Sequence, residues 1–90
     1  MSILVCIPAY NEGKVIDGVI QECFKFSDHV VVCDDGSTDN TSEEADSAGA
    51  DVIRHEKNIG KGEALRSLFK FAIHSKKVLE HKSKAIGRYR

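Results

Sequence analysis

The sequence predicts an α/β fold in which three strands and three helices alternate as βαβαβα around a parallel sheet. Three short apolar runs rich in β-branched residues, each followed by polar or turn-forming residues, predict the strands. After each run, apolar residues recur at intervals of three and four, which predicts a helix. Such an alternation favours right-handed crossovers. All three strand-to-helix loops are therefore expected at one edge of the sheet.

The first unit combines a strand over Ile3–Ile7 with a helix that begins near Val15. Pro8 is expected to end the strand, since proline is tolerated at strand ends and not in central strands. The loop that follows carries Tyr10 and Glu12. An aromatic face beside a hydrogen-bonding carboxylate suits a flat heterocyclic base. The alternative is that Tyr10 only packs and that Glu12 only interacts favourably with the helix dipole.

The second unit carries the most informative residues of the chain. A strand predicted over His29–Cys33 is followed directly by Asp34, Asp35, Gly36 and Ser37. Ligands of open α/β sheets bind at the carboxyl ends of the strands. Two adjacent acids repel each other unless a cation or a hydrogen-bond donor compensates them. The pair therefore indicates a site, and a turn with a helix cap is the alternative interpretation.

The third unit begins after a short second helix. Asp39, Asn40 and Thr41 are able to cap a helix over about residues 42–48, which Gly49 would end. A short strand is predicted over Asp51–Arg54, and a third helix includes the apolar positions Ala64, Leu65, Leu68, Phe69, Ala72 and Ile73.

The loop between this strand and the third helix is polar and rich in glycine. Lys61 lies between Gly60 and Gly62, where the backbone is able to approach a phosphate closely and the helix start favours anions. A flexible, solvated loop is the alternative. If the three loops meet at one edge, a single ligand would be surrounded by Tyr10, Glu12, Asp34, Asp35, Lys57 and Lys61.

Three motifs occur in order along the chain: Ile7–Glu12 (IPAYNE), Val31–Asp39 (VVCDDGSTD) and Asn58–Leu65 (NIGKGEAL). Together they resemble family 2 glycosyltransferases, especially the dolichyl- or polyprenyl-phosphate sugar synthases. The resemblance covers about residues 2–73. It implies a nucleotide-diphospho-sugar-binding domain with a Rossmann-like three-layer sheet, the N-terminal part of a GT-A-type fold.

The resemblance also implies roles for individual residues. Pro8, Tyr10 and Glu12 would line the site of the base and ribose. Asp35 would accept a hydrogen bond from the base, Asp34 would contact the base or ribose more weakly, and Lys61 would lie near the diphosphate. The predicted nucleotide-binding residues are Pro8, Ala9, Tyr10, Asn11, Glu12, Asp34, Asp35, Gly36, Ser37 and Lys61.

The chain departs from the family after the third helix. The family has a further strand that ends in Asp-x-Asp, whose acids hold Mg²⁺ or Mn²⁺ against the diphosphate. Here the last aspartate is Asp51 and the last acid is Glu80. We therefore assign no catalytic residue and no metal ligand within the chain, and expect any metal to belong to the complete enzyme.

The expected function is the nucleotide-sugar-binding part of an inverting glycosyltransferase that uses a UDP- or GDP-linked donor. The 90-residue chain is expected to be incomplete for catalysis. The alternative is a truncated, non-catalytic module that binds nucleotide or associates with itself.

Charge divides the chain into two segments. Residues 74–90 contain six Lys and Arg and one Glu, a net charge of +5, so residues 1–73 carry −6 of the total of −1. We predict an α/β domain over residues 1–73 and a basic helix extension or tail over residues 74–90. Weak contact of the tail with a membrane surface is the alternative to a solvated helix end. No nucleic-acid partner is expected, because the tail has one aromatic residue and no RNA-binding motif.

Three other classes of ligand-binding domain are excluded because the chain lacks their motifs at the required positions. No G-x-G-x-x-G follows the first strand, and Gly60-Lys61-Gly62 has the wrong order for a P-loop. A receiver domain needs its acid pair after the first strand and an aspartate after the third, where this chain has Pro8 and His55.

The remaining features concern compartment and association. Cys6, Cys23 and Cys33 lie in apolar segments without metal spacing, which predicts small buried thiols in a reducing cytoplasm. No signal peptide or membrane-length apolar segment is evident. We expect a cytoplasmic protein, with a peripheral position at the cytoplasmic membrane face as an alternative. Two exposed sheet edges predict a homo-oligomer.

Overall fold

A computed structural model describes the backbone of residues 3–80 and the side chains of residues 3–74. The elements follow the order β1 (Leu4–Ala9), α1 (Ile16–Cys23), β2 (His29–Asp34), α2 (Thr41–Ser47), β3 (Asp51–Arg54) and α3 (Lys61–Glu80). All pairings are parallel and β2 lies between β1 and β3. The predicted βαβαβα fold is confirmed.

Two apolar layers cover the two faces of the sheet. On one face, α1 and α2 pack through Ile16, Ile20 and Ala45 against alternate residues of the strands. On the other face, α3 packs Leu68 and Phe71 against the intervening residues of β2 and β3. Because both faces are covered, the central residues of β2 have no polar alternation, which explains the continuous apolar run in the sequence.

The end of the first strand was predicted wrongly. β1 continues through Pro8, which pairs with Cys33, and ends at Ala9. Since β1 is an edge strand of this sheet, proline loses no ladder hydrogen bond when its nitrogen faces away from β2. The prediction that Cys6 is buried was also wrong, because Cys6 is exposed on β1.

The proposed division of the chain after residue 73 remains a prediction. Helix α3 continues without a break past this position to Glu80. The rest of the basic segment, residues 81–90, lies outside the described residues. No helix in the described part of the chain is both long and apolar enough to cross a membrane.

Self-association of the purified chain is predicted from the two edge strands, β1 and β3, and from exposed apolar side chains. Phe26, in the turn after α1, and Phe69, on α3, are 76% and 68% exposed. We expect the average mass measured by light scattering to rise with protein concentration, because unpaired edges and apolar surface favour contact between copies. A constant monomer mass up to millimolar concentration would contradict this prediction.

Candidate functional site

The three strand-to-helix loops begin side by side at the carboxyl edge of the sheet. Ala9 is paired with Asp34, and Asp34 is paired with Arg54, so the strands end at the same level. Two backbone hydrogen bonds continue the pairing into the loops. The Asp35 amide donates to the Ala9 carbonyl (2.9 Å), and the His55 amide donates to the Asp34 carbonyl (3.0 Å).

Asp34 is the enclosed centre of this edge. It has no exposed surface, and its Oδ1 accepts a hydrogen bond from the Ser37 amide at 3.0 Å. Its Oδ2 accepts from the Ser42 hydroxyl and, at 2.8 Å, from Arg54 Nη1. The buried charge is therefore paired, as burial requires. Asp34 thus holds the turn after β2 to helix α2 and strand β3.

Asp35 ties the second loop to the third. Its Oδ1 accepts hydrogen bonds from His55 Nδ1 (2.7 Å) and from the Ile59 amide (3.1 Å), and its Oδ2 accepts from the Gly60 amide (2.9 Å). The residue is 4% exposed. A single carboxylate therefore contacts the third loop at three residues.

The hydrogen bonds around Asp35 keep its carboxylate ionised. Burial raises its pKa, but the hydrogen bonds from His55, Ile59 and Gly60 and the charge of His55 outweigh burial and lower the pKa below its usual value. Burial, followed by the charges of Asp35 and Asp34, raises the pKa of the neighbouring Cys33 thiol to about 12. Asp35 is therefore a hydrogen-bond acceptor at neutral pH, and Cys33 is a protonated thiol.

A loss of stability in acid follows from the lowered pKa of Asp35 and of Asp39, whose carboxylate is hydrogen-bonded by Thr41. A carboxylate whose pKa is lower in the folded protein than its unfolded value of 3.8 stabilises the fold at pH values above 3.8. This stabilisation is lost as the pH falls through the pKa of the folded state. When the pH is lowered from 5 to 3, we expect the urea midpoint of unfolding to decrease less for Asp39→Asn than for the wild type. An equal fall in both proteins would contradict this assignment.

Gly36 allows the second and third loops to pack tightly. Its φ is +74°, in the left-handed region. A Cβ at this position would lie 2.3 Å from the Lys57 carbonyl carbon and 2.4 Å from the Asn58 nitrogen. No side chain fits there without moving the backbone.

The first loop is held by hydrogen bonds to the second. The Asn11 amide donates to Ser37 Oγ (2.7 Å), and the Thr38 amide donates to Asn11 Oδ1 (2.9 Å). The Glu12 amide donates to Thr41 Oγ1 (2.9 Å). These contacts account for the positive φ of Asn11, +53°, in a residue type that tolerates this conformation. The three loops thus form one connected structure.

The predicted site residues divide by exposure. Ala9, Asp34, Asp35 and Ser37 are buried, and Pro8 and Gly36 are half-buried. Tyr10, Asn11, Glu12 and Lys61 are exposed. The structure brings nine of these ten residues to the ends of β1 and β2 or the loops that follow, whereas Lys61 is the first residue of α3.

Sequence reasoning missed the residues that support Asp34 and Asp35. Arg54 and Ser42 hold Asp34, and His55 holds Asp35. One signal was present for His55: it is the polar residue directly after β3, in the place that Asp35 occupies after β2. An open concavity of about 270 Å³ lies beside it, lined by Arg54, His55, Glu56, Lys57 and Ile59. This volume is close to the lower end of the range for ligand pockets.

The described residues do not fit a divalent metal. Among the described side chains, no group of three or more His, Cys, Asp or Glu is arranged to hold an ion. Asp34 and Asp35, the two acids at the end of β2, already accept hydrogen bonds from protein donors, and Asp34 is enclosed.

The chain is similar to proteins from archaea and bacteria. It is 45% identical over 76 residues to an uncharacterised protein of Methanocaldococcus jannaschii, a match that covers 78% of this chain and 33% of the relative. It is 44% identical over 68 residues to glycosyltransferase AglJ of Haloferax volcanii, covering 69% of this chain and 21% of the relative. The chain thus spans a third or less of the length of these relatives.

Solved structures of glucosyl-3-phosphoglycerate synthase from Mycobacterium tuberculosis share the fold. The complex with uridine diphosphate superposes with a TM-score of 0.63 at 37% identity, covering 71% of this chain and 27% of the synthase. The complex with Mn²⁺, UDP-glucose and phosphoglyceric acid gives a TM-score of 0.62 at the same identity and coverage.

The sequence model of glycosyl transferase family 2 matches residues 4–74, which include strands β1, β2 and β3 and the loop that follows each of them. The chain belongs to glycosyl transferase family 2.

Proposed function

We propose that the carboxyl edge of the sheet binds the nucleotide of a nucleotide-diphospho-sugar, and that the chain is the donor-binding part of a glycosyltransferase. The observation that carries this proposal is Asp35, which is ionised, nearly enclosed and fixed by three donors of the third loop. A fixed acceptor at the ends of parallel strands, at an edge that also carries an exposed aromatic residue, suits a nucleotide base. Tyr10, 45% exposed in the first loop, supplies the ring.

The hydrogen bonds of Asp35 favour uracil over guanine. A carboxylate offers about four lone-pair sites, and three are used, two of them on Oδ1. The remaining site is on Oδ2. Uracil presents a single ring N–H between two carbonyl groups, which needs one acceptor. Guanine presents two adjacent donors on its pairing edge, which are best met by both oxygens of a carboxylate. The complexes of the mycobacterial synthase with uridine diphosphate and UDP-glucose support the same choice.

The diphosphate is assigned to the start of α3. Lys61 is exposed as the first residue of this 20-residue helix, and its charge adds to the positive end of the helix dipole. Gly60, whose φ is +107°, and Gly62 leave open space beside it. A doubly charged diphosphate would therefore meet a cation and free backbone at this end of the edge.

The reaction of the whole protein is proposed to be an inverting sugar transfer. Since residues 3–74 do not fit a divalent metal, we assign Mg²⁺ or Mn²⁺ and the base that activates the acceptor hydroxyl to other parts of the protein. The presence of Mn²⁺ in a complex of the mycobacterial synthase supports a metal in the complete enzyme. We propose a cytoplasmic location from the free cysteines.

Calorimetric titration tests the proposal. The 90-residue chain would be titrated with UDP, GDP and UDP-glucose, with and without Mg²⁺, and assayed for transfer of labelled sugar. We expect weak binding of UDP and UDP-glucose, weaker binding of GDP, and no sugar transfer. An Asp28→Ala variant, which removes an exposed acid from the turn before β2, should bind as the wild type does. Absence of UDP binding at millimolar concentration would refute the proposal. The alternative, a non-catalytic module that associates with itself, would then be favoured.

A further inference from the structure

His55 lies at the centre of a chain of hydrogen bonds that joins three elements. Its Nδ1 is 2.7 Å from Asp35 Oδ1 in the turn after β2, and its Nε2 is 2.8 Å from Ser67 Oγ on α3. Its own amide donates to the Asp34 carbonyl at the end of β2. The imidazole is 10% exposed, so it is held on both sides within the protein.

The partners of His55 determine which nitrogen carries the proton. An ionised carboxylate only accepts hydrogen bonds, so Nδ1 must be the donor to Asp35. In the neutral ring Nε2 is then an acceptor, and the Ser67 hydroxyl donates to it. Both ring nitrogens have a partner, and the ring orientation is fixed.

The same order of acid, histidine and serine occurs in nucleophilic triads, but the surroundings of Ser67 do not support that role. Ser67 lies inside α3, where backbone N–H groups donate to carbonyls one turn earlier. Such groups are not available as a pair of donors for an oxyanion. The chain of hydrogen bonds therefore acts on Asp35 and the third loop.

We propose that His55 is a positioning residue for the nucleotide site, an inference that rests on the proposed function. By donating to Oδ1 it orients the Asp35 carboxylate so that Oδ2 keeps one lone pair for the base. The same carboxylate orientation places Oδ1 and Oδ2 to accept from the Ile59 and Gly60 amides, which sets the loop that leads to Lys61. His55 thus links recognition of the base to the position of the diphosphate end of the site.

Two substitutions separate positioning from packing. In His55→Asn the side-chain amide nitrogen takes the place of Nδ1 and keeps the donor to Asp35. In His55→Gln the amide reaches the place of Nε2, so the contact with Ser67 remains and the donor to Asp35 is lost. We expect calorimetry to show UDP binding within about threefold of wild type for His55→Asn, and weakening of about tenfold or more for His55→Gln. Equal weakening in both variants would overturn the proposal.

A ligand-free measurement keeps this test separate from the proposed function. Amide hydrogen exchange at Ile59 and Gly60, followed by NMR, should be faster in His55→Gln than in the wild type and close to wild type in His55→Asn. If the wild type fails to bind UDP, the proposed function is refuted. The exchange rates of Ile59 and Gly60 still test whether His55 positions Asp35 and the third loop. Unchanged exchange in His55→Gln would overturn the positioning role.

The wild-type ring provides a test that does not depend on either variant folding. Long-range ¹H–¹⁵N correlation spectra distinguish the two neutral tautomers of histidine. The geometry requires the neutral ring of His55 to carry its proton at Nδ1, and a neutral ring protonated at Nε2 would contradict the proposal.

Discussion

Replacing Gly36 with alanine is expected to lower the free energy of unfolding by about 2–4 kcal/mol. The new Cβ would lie 2.3 Å from the Lys57 carbonyl carbon, so the second and third loops would have to separate. The left-handed φ of +74° adds strain that glycine avoids. Because Asp35 connects the same two loops, nucleotide binding should weaken together with stability.

Gly18→Ala is the matched control for this substitution. Gly18 lies within α1, and a Cβ built on it meets nothing within 4 Å. Alanine there should raise the free energy of unfolding by about 0.5–1 kcal/mol, since glycine destabilises a helix interior. Urea denaturation of both variants measures the difference. A Gly36→Ala protein as stable as the wild type would show that the loops do not pack as described.

Replacing Asp35 with alanine is expected to weaken UDP binding by about 1–3 kcal/mol, the usual cost of losing one hydrogen bond to a charged group. The substitution also leaves His55 and the amides of Ile59 and Gly60 without their acceptor. Stability should therefore fall as well, because buried donors without a partner are unfavourable. Calorimetry measures the affinity, and urea denaturation shows whether the variant is still folded at the titration temperature.

Asp28→Ala controls for the loss of a negative charge, since Asp28 is exposed and precedes β2 at the opposite end of the strand. It should leave both the affinity for UDP and the urea midpoint unchanged. An Asp35→Ala variant that is folded and binds UDP as tightly as the wild type would remove Asp35 from the site.

The βαβαβα fold was predictable from sequence because each element has a clear local pattern. The apolar run of β2 and the turn residues after it are sufficient to place a buried strand that ends near Asp34. The continuation of β1 through Pro8 was not predictable, since it depends on β1 being an edge strand. Strand order results from packing of the whole sheet, and no local pattern determines it.

The candidate site was predictable to a smaller extent. The motifs indicated Asp35 and the loops at the carboxyl edge, and its role in binding remains a prediction. The enclosure of Asp34 required knowledge of Arg54 and Ser42, which are 20 and 8 residues away in sequence. The support of Asp35 by His55 depends on the same kind of distant contact. Hydrogen bonds between side chains of different βα units form only when the chain folds, so a local sequence pattern does not predict them.

NMR titration of the ¹⁵N-labelled wild-type chain with UDP shows where on the fold the nucleotide binds. We expect amide shifts to change along the carboxyl edge, at residues 10–12, at Ser37 and at residues 59–61. We expect no change at the opposite end of the sheet, where His29 pairs with Asp51 at 2.6 Å. Shift changes confined to that opposite end, or to the exposed face of α3, would show that the carboxyl edge is not the nucleotide site.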